Sequence, residues 1–153
     1  MSTINNQRIV LAKRPVGEPK HSDFRIEQVE LSQLKQGEML LKTIYLSLDP
    51  YMRGRMSDAP SYAAPVEIGE VMVGGTVSQV VASKNPKFKE GEWVLSGNGW
   101  QGYAISDGTA CQSLGMQPEH PSWTLGILGM PGFTAYMGLL DIGQPKAGET
   151  LVV

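Results

Sequence analysis

The chain has 153 residues, of which 41% are hydrophobic and 18% charged, with a formal net charge of −2. Domains run to roughly 100–200 residues, so this length suits one buried core, and the composition excludes a disordered chain or a polyanion-binding surface. No run approaches the roughly 18 apolar residues of a membrane helix, and the polar start lacks a secretory pattern, so a soluble cytoplasmic protein is expected, with neither nucleic acid nor membrane as partner.

The elements follow in chain order. Arg8 to Lys13 gives a short apolar run, and Phe24, Ile26, Val29 and Leu31 recur in a polar background, so both stretches read as strands. Glu38 to Leu48 is rich in aliphatic side chains and bounded by Gly37 and Asp49-Pro50, a third strand. Asp49 to Pro65 breaks the pattern with three prolines and predicts a long loop with a turn of helix near Tyr51 to Arg55. Glu70 to Val81 reads as a strand with a bulge or barrel corner at Gly74-Gly75. Lys84 to Gly91 is a polar turn. Glu92 to Ser96 and Trp100 to Ile105 then predict a strand pair joined through Gly97-Asn98-Gly99. In the last third, Ser122 is placed to cap a short apolar helix reaching Leu128. Gly132 to Ile142 predicts a second helix closed by Gly143, and Thr150 to Val153 begins what should be a buried strand.

With 18 Gly and 10 Pro in a globular composition, many turns between short strands are expected. The single Cys111 can form no internal disulfide and supplies no thiolate cluster for zinc; His21 and His120 read as solvated loop residues. The literal G-x-G-x-x-G at Gly97 to Gly102 is followed by strand-like residues, so no helix start is available to hold a pyrophosphate, and the glycines read as a turn.

Two segments carry the candidate chemistry. Asp49-Pro50-Tyr51-Met52-Arg53-Gly54-Arg55-Met56 puts an acid, a phenol and two guanidinium groups into one loop. Tyr51 and the nearby Tyr62 are phenols able to donate to a carbonyl oxygen, although an internal Asp49–Arg53 pair steadying the loop would look the same. Gly129-Met130-Pro131-Gly132-Phe133-Thr134 sets a proline and a hydroxyl at a helix start, either a cap or a corner for an anion or amide. Trp100 is a further candidate for lining a cavity.

Together, Tyr45 to Met56, Gly69 to Val80 and Leu128 to Val153 resemble the zinc-independent medium-chain dehydrogenase/reductases of the prostaglandin reductase and leukotriene hydroxydehydrogenase type, most of all bacterial NADPH-dependent curcumin reductases. The resemblance runs from Arg8 to Val153. It implies a mainly β fold, a GroES-like twisted β-barrel with a few short helices over residues 1–147. Residues 148–153 would then open a Rossmann-type NADPH-binding domain that lies outside this sequence. Zinc-dependent relatives carry metal ligands in the regions that here read Leu46-Ser47-Leu48-Asp49 and Gly69-Glu70-Val71-Met72, so the resemblance implies no zinc.

The implied reaction is hydride addition from NADPH to the C=C bond of an α,β-unsaturated ketone or aldehyde. Tyr51 and Tyr62 match substrate-pocket positions with a catalytic role, Trp100 is a weaker substrate-binding candidate, and Met130, Pro131 and Thr134 match positions at the nicotinamide end of the cofactor. Asp49 and Arg53 read as loop architecture. Two other readings stand beside this one: a quinone or enoyl-thioester reductase of the same superfamily, and a barrel that binds a small molecule or protein without catalysis. The whole enzyme is expected to be a homodimer, and this chain alone to be inactive.

Overall fold

A computed structural model of the chain describes residues 4–152. Among them, seven strands carry the architecture: β1 (Ile4–Leu11), β2 (Phe24–Leu31), β3 (Met39–Leu46), β4 (Thr76–Ser83), β5 (Trp93–Ser96), β6 (Tyr103–Ser106) and β7 (Gln112–Gly115). β1 and β2 form an antiparallel ribbon in unbroken register, from Ile4 opposite Leu31 to Leu11 opposite Phe24. The other five form one antiparallel sheet in the order β6-β3-β4-β5-β7. The fold is mainly β, as expected. The described residues form two sheets, however, rather than a closed barrel. The free edge of β1 meets only irregular chain, through Ile9 N–H to Trp100 O (2.8 Å), Gly102 N–H to Gln7 O (2.9 Å) and Met72 N–H to Ile9 O (3.0 Å), so the seam is stitched without a continuous ladder.

β3 lies centrally between β4 and β6, which is why Met39, Leu40 and Leu41 are buried without alternation. Two register shifts against β4, at Leu40/Leu41 and between Thr43 and Tyr45, bend the strand and leave Ile44 and Tyr45 outward. The apolar side chains divide into two clusters. One gathers Met39, Leu41, Val80, Phe88 and Val94, so the polar turn after β4 contributes a core phenylalanine. The other gathers Leu11, Met52, Met56, Val66 and Met72, with Phe24, Tyr51, Val73 and Trp100 packed against it. At about 1.5–3 kcal/mol for each fully buried aliphatic side chain, this second cluster anchors a segment that has little regular structure of its own.

The helical turn expected near Tyr51 is α1 (Tyr51–Arg55). Several other expectations need correction. The strands at 93–96 and 103–106 are not partners: β5 pairs with β4 and β7, while β6 pairs with β3, and the intervening chain crosses the sheet. Gly99 serves that crossing. It has φ +75°, and a Cβ there would lie 2.3 Å from Met72 O, so a close backbone approach demands this glycine. The stretch 70–81 is strand only from Thr76 onward, with Gly74 and Gly75 forming the corner before it. β7 is a strand where none was expected.

Residues Pro121–Leu125 form a 3₁₀ turn with Pro121 in its first turn and His120 as cap, instead of a helix capped by Ser122. The second helix starts earlier than expected, as α2 (Met130–Tyr136), and continues as a π-helical segment (Met137–Gly143). Gln144, rather than Gly143, takes the left-handed position (φ 47°) at its end, where its N–H donates to Leu139 O at 2.9 Å. Residues 150–152 are neither paired nor buried, with Leu151 and Val152 exposed, because no neighbouring strand covers them among the described residues. Val153 lies outside the described residues.

Candidate active site

The tyrosine loop is built outward from the second apolar cluster. Met52 and Met56 of α1 and its C-cap are 3% and 4% exposed, and Val66 closes the loop at 4%, so both ends are sunk in the core while the middle runs over the surface. Tyr51 is half-buried and packs against this cluster. Burial pushes its phenol above the ordinary value of 10.0; the Asp49 carboxylate adds to the rise, and Arg55 opposes it. The hydroxyl is therefore a neutral donor at physiological pH. Tyr62 lies in the same loop but is 85% exposed, outside the apolar cluster against which Tyr51 packs.

Trp100 reaches the same cluster from the other side. Its ring stacks on Phe24 at 5.5 Å between centroids and lines a shallow cleft of about 280 Å³, together with Gln7 and Ile9 of β1 and Thr43 and Leu46 of β3. The Trp100 Nε1 and the Thr43 hydroxyl are both hidden from solvent without a partner. The corner glycines join these parts. A Cβ on Gly74 would touch Leu46, Met52 and Trp100, and one on Gly75 would lie 3.2 Å from Leu125, in the 3₁₀ turn on which α2 packs.

The cofactor candidates belong to another element, α2. Met130 is 61% exposed, and Pro131 occupies the first helical turn. The Thr134 hydroxyl donates to Met130 O at 2.8 Å, which leaves its oxygen lone pairs to accept from another group. No charged side chain lies on Met130–Tyr136. This uncharged, exposed helix start offers no charged group of its own to a phosphate.

Asp49 and Arg53 do not pair. Arg53 instead donates from Nη2 to Pro15 O (3.2 Å) and Gly17 O (3.0 Å), because the turn of α1 directs it across to the segment after β1. Arg55, to which the sequence pattern gives no role, has its Nε buried without a partner near Tyr51. Positions 51 and 55 are one helical turn apart and share a face, a spacing legible in the sequence. Among the described residues, no three His, Cys, Asp or Glu side chains gather to hold a metal ion, and no helix is long and apolar enough to cross a membrane.

Two sheets with an irregular, tyrosine-bearing loop beside their seam define the class: a family model described as the N-terminal domain of oxidoreductase matches residues 7–114, and the chain belongs to that family. Among individual relatives, it is 63% identical over 148 residues to the NADPH-dependent curcumin reductase of Escherichia coli (strain K12), covering 97% of this chain and 43% of that protein. It is 44% identical over 148 residues to prostaglandin reductase 1 of Bos taurus, covering 94% and 42%. A crystal structure of CurA from Vibrio vulnificus in complex with NADPH superposes with a TM-score of 0.87 at 64% identity, over 94% of this chain and 42% of that one. The chain thus spans less than half the length of the relatives it matches.

Proposed function

We propose that this chain is the substrate-side domain of an NADPH-dependent reductase that saturates the C=C bond of α,β-unsaturated ketones and aldehydes without a metal. The observation that carries the reading is Tyr51, a neutral phenol half-buried against an apolar wall that includes Trp100. The likeness to curcumin and prostaglandin reductases supports the same conclusion. A second domain opening near residue 148 would complete the site, and the whole enzyme would be a cytoplasmic homodimer.

When bound, NADPH supplies the hydride. The chain's own residues then have distinct tasks. Tyr51 donates to the substrate carbonyl oxygen, and that hydrogen bond strengthens as negative charge grows on the oxygen, so it favours the transition state over the ground state. Tyr62 offers a second donor from the exposed loop. Trp100 provides a flat apolar wall for a conjugated substrate. Met130, Pro131 and Thr134 hold the neutral end of the cofactor, with the Thr134 oxygen free to accept from an amide N–H.

The test compares NADPH oxidation by the full-length enzyme with an enone, a quinone and an enoyl thioester. The enone is expected to give the highest kcat/KM. Tyr51→Phe should lower kcat for the enone by roughly tenfold to hundredfold, at or below the about 10²–10³ that removing one donor from a preorganised oxyanion hole costs. Preference for the quinone or thioester, or an unchanged kcat in Tyr51→Phe, would remove the basis of the assignment.

A further inference from the structure

Two arginines tie the tyrosine loop to the rest of the fold by exchanging partners. Arg14, just after β1, is half-buried and donates from Nη1 to Met56 O at 3.1 Å and to Val66 O at 3.2 Å. Those carbonyls flank the loop of residues 57–65, on which Tyr62 sits. The Val66 N–H donates to Arg55 O at 2.7 Å, so the two ends of the loop meet beside that guanidinium. In return Arg53, inside α1, donates to Pro15 O and Gly17 O. Each segment therefore lends its guanidinium to the other's carbonyls. Asp58 and Glu67 lie 3.6 and 3.7 Å from Arg14, but both are largely exposed and their attraction is screened. The carbonyl contacts are what fix position; both come from Nη1, whose two N–H groups are held in the guanidinium plane, whereas a lysine ammonium on its flexible stem holds two such directions less firmly.

We propose that Arg14 is a positioning residue that sets where Tyr51 and Tyr62 stand, by binding the C-terminal end of α1 and both ends of the 57–65 loop to the segment after β1. This rests on the reading of Tyr51 and Tyr62 as the groups that meet the substrate. The apolar cluster holds the Met56 and Val66 side chains in the core. Arg14 adds a polar tie at the two backbone carbonyls where the loop leaves and rejoins the core.

The experiment uses the full-length enzyme with 3-fluorotyrosine, its fluorine resonances assigned through Tyr51→Phe and Tyr62→Phe. In Arg14→Gln the signals of Tyr51 and Tyr62 should shift or broaden. kcat/KM for an enone should fall about tenfold, short of the roughly hundredfold of a full 1 Å misplacement. Arg14→Lys should recover only part of the rate. Arg25→Gln, which breaks a surface pair with Glu27 on β2, should change neither signal. In a Tyr51→Phe/Tyr62→Phe background Arg14→Gln should cost little further rate, because positioning has no object once both hydroxyls are gone. Unchanged fluorine signals in a folded Arg14→Gln protein, or a full additive loss in the double-phenylalanine background, would overturn the proposal. Should Arg14→Gln fail to fold, Arg53→Gln tests the opposite half of the exchange by the same signals. If Tyr51→Phe and Tyr62→Phe leave turnover intact, the catalytic reading fails, while the fluorine shifts still decide what Arg14 does.

Discussion

Gly74 is the position where one added methyl group tests the packing behind the candidate site. Built onto its backbone, a Cβ would lie 2.9 Å from Leu46 Cδ1, 3.1 Å from Met52 Cε and 3.2 Å from Trp100 Cδ1. Favourable carbon contacts lie near 3.5–4.0 Å, so all three neighbours must withdraw. Leucine and methionine tips can rotate. The Trp100 ring is stacked on Phe24 and has less freedom. Overpacking of this kind costs about 1–3 kcal/mol, while replacing glycine lowers unfolded-state entropy and returns about 0.4–1 kcal/mol. The net loss for Gly74→Ala should be about 1–2 kcal/mol, or roughly 2–8 °C in Tm for a chain of this size. Gly54 makes the control: it lies within α1 with open space around its Cβ position, so Gly54→Ala should stabilise by about 0.5–1 kcal/mol. Both are read by urea and thermal unfolding of this chain. Gly74→Ala at or above wild-type stability, with Gly54→Ala behaving as stated, would refute the packing described around Trp100.

Two pH dependences follow from the electrostatics. Asp23, Glu27, Glu92 and Asp107 are held below their ordinary values of 3.8 and 4.5, chiefly by the Lys20 N–H, Arg25, the Ser113 hydroxyl and the Thr109 N–H in turn. Their contribution is complete above the ordinary values and is lost as pH falls through the lowered ones, so the urea midpoint should be flat down to about pH 5 and then drop; a midpoint still flat at pH 3 would contradict these contacts. Tyr51 has the opposite sign. Its raised phenol contributes stability that is complete below 10.0 and is lost as pH rises through the folded-state value, and ultraviolet titration should show one late-ionising tyrosine that disappears in Tyr51→Phe.

Local pattern made most strands legible, because Phe24, Ile26, Val29 and Leu31 recur in a polar background along β2 and the start of β3 is a continuous apolar run; their pairing was another matter. The short glycine connection suggests joining 92–96 to 100–105, but β5 pairs back across the 84–91 turn with β4 and on its other side with β7, while β6 pairs with the distant β3, and nothing local encodes which edge is free. β7 escaped notice because Gln112-Ser113-Leu114-Gly115 has no β-branched residue and only one half-buried side chain. Tyr51 could be singled out by its loop and its neighbours in sequence. Arg14 could not, since its carbonyl partners lie 42 and 52 residues away and any side chain in those places would present the same carbonyls.

The unpartnered indole N–H of Trp100 gives the protein an optical reporter of its own. An indole whose N–H is out of water and without a hydrogen bond emits at shorter wavelength than a solvated one, while the Trp100 ring lines the cleft. Entry of a carbonyl compound into the cleft should therefore quench that emission by contact with the ring. Trp93 and Trp123 lie outside that cleft and contribute a steady background. Occupancy could then be followed without a label and without turnover.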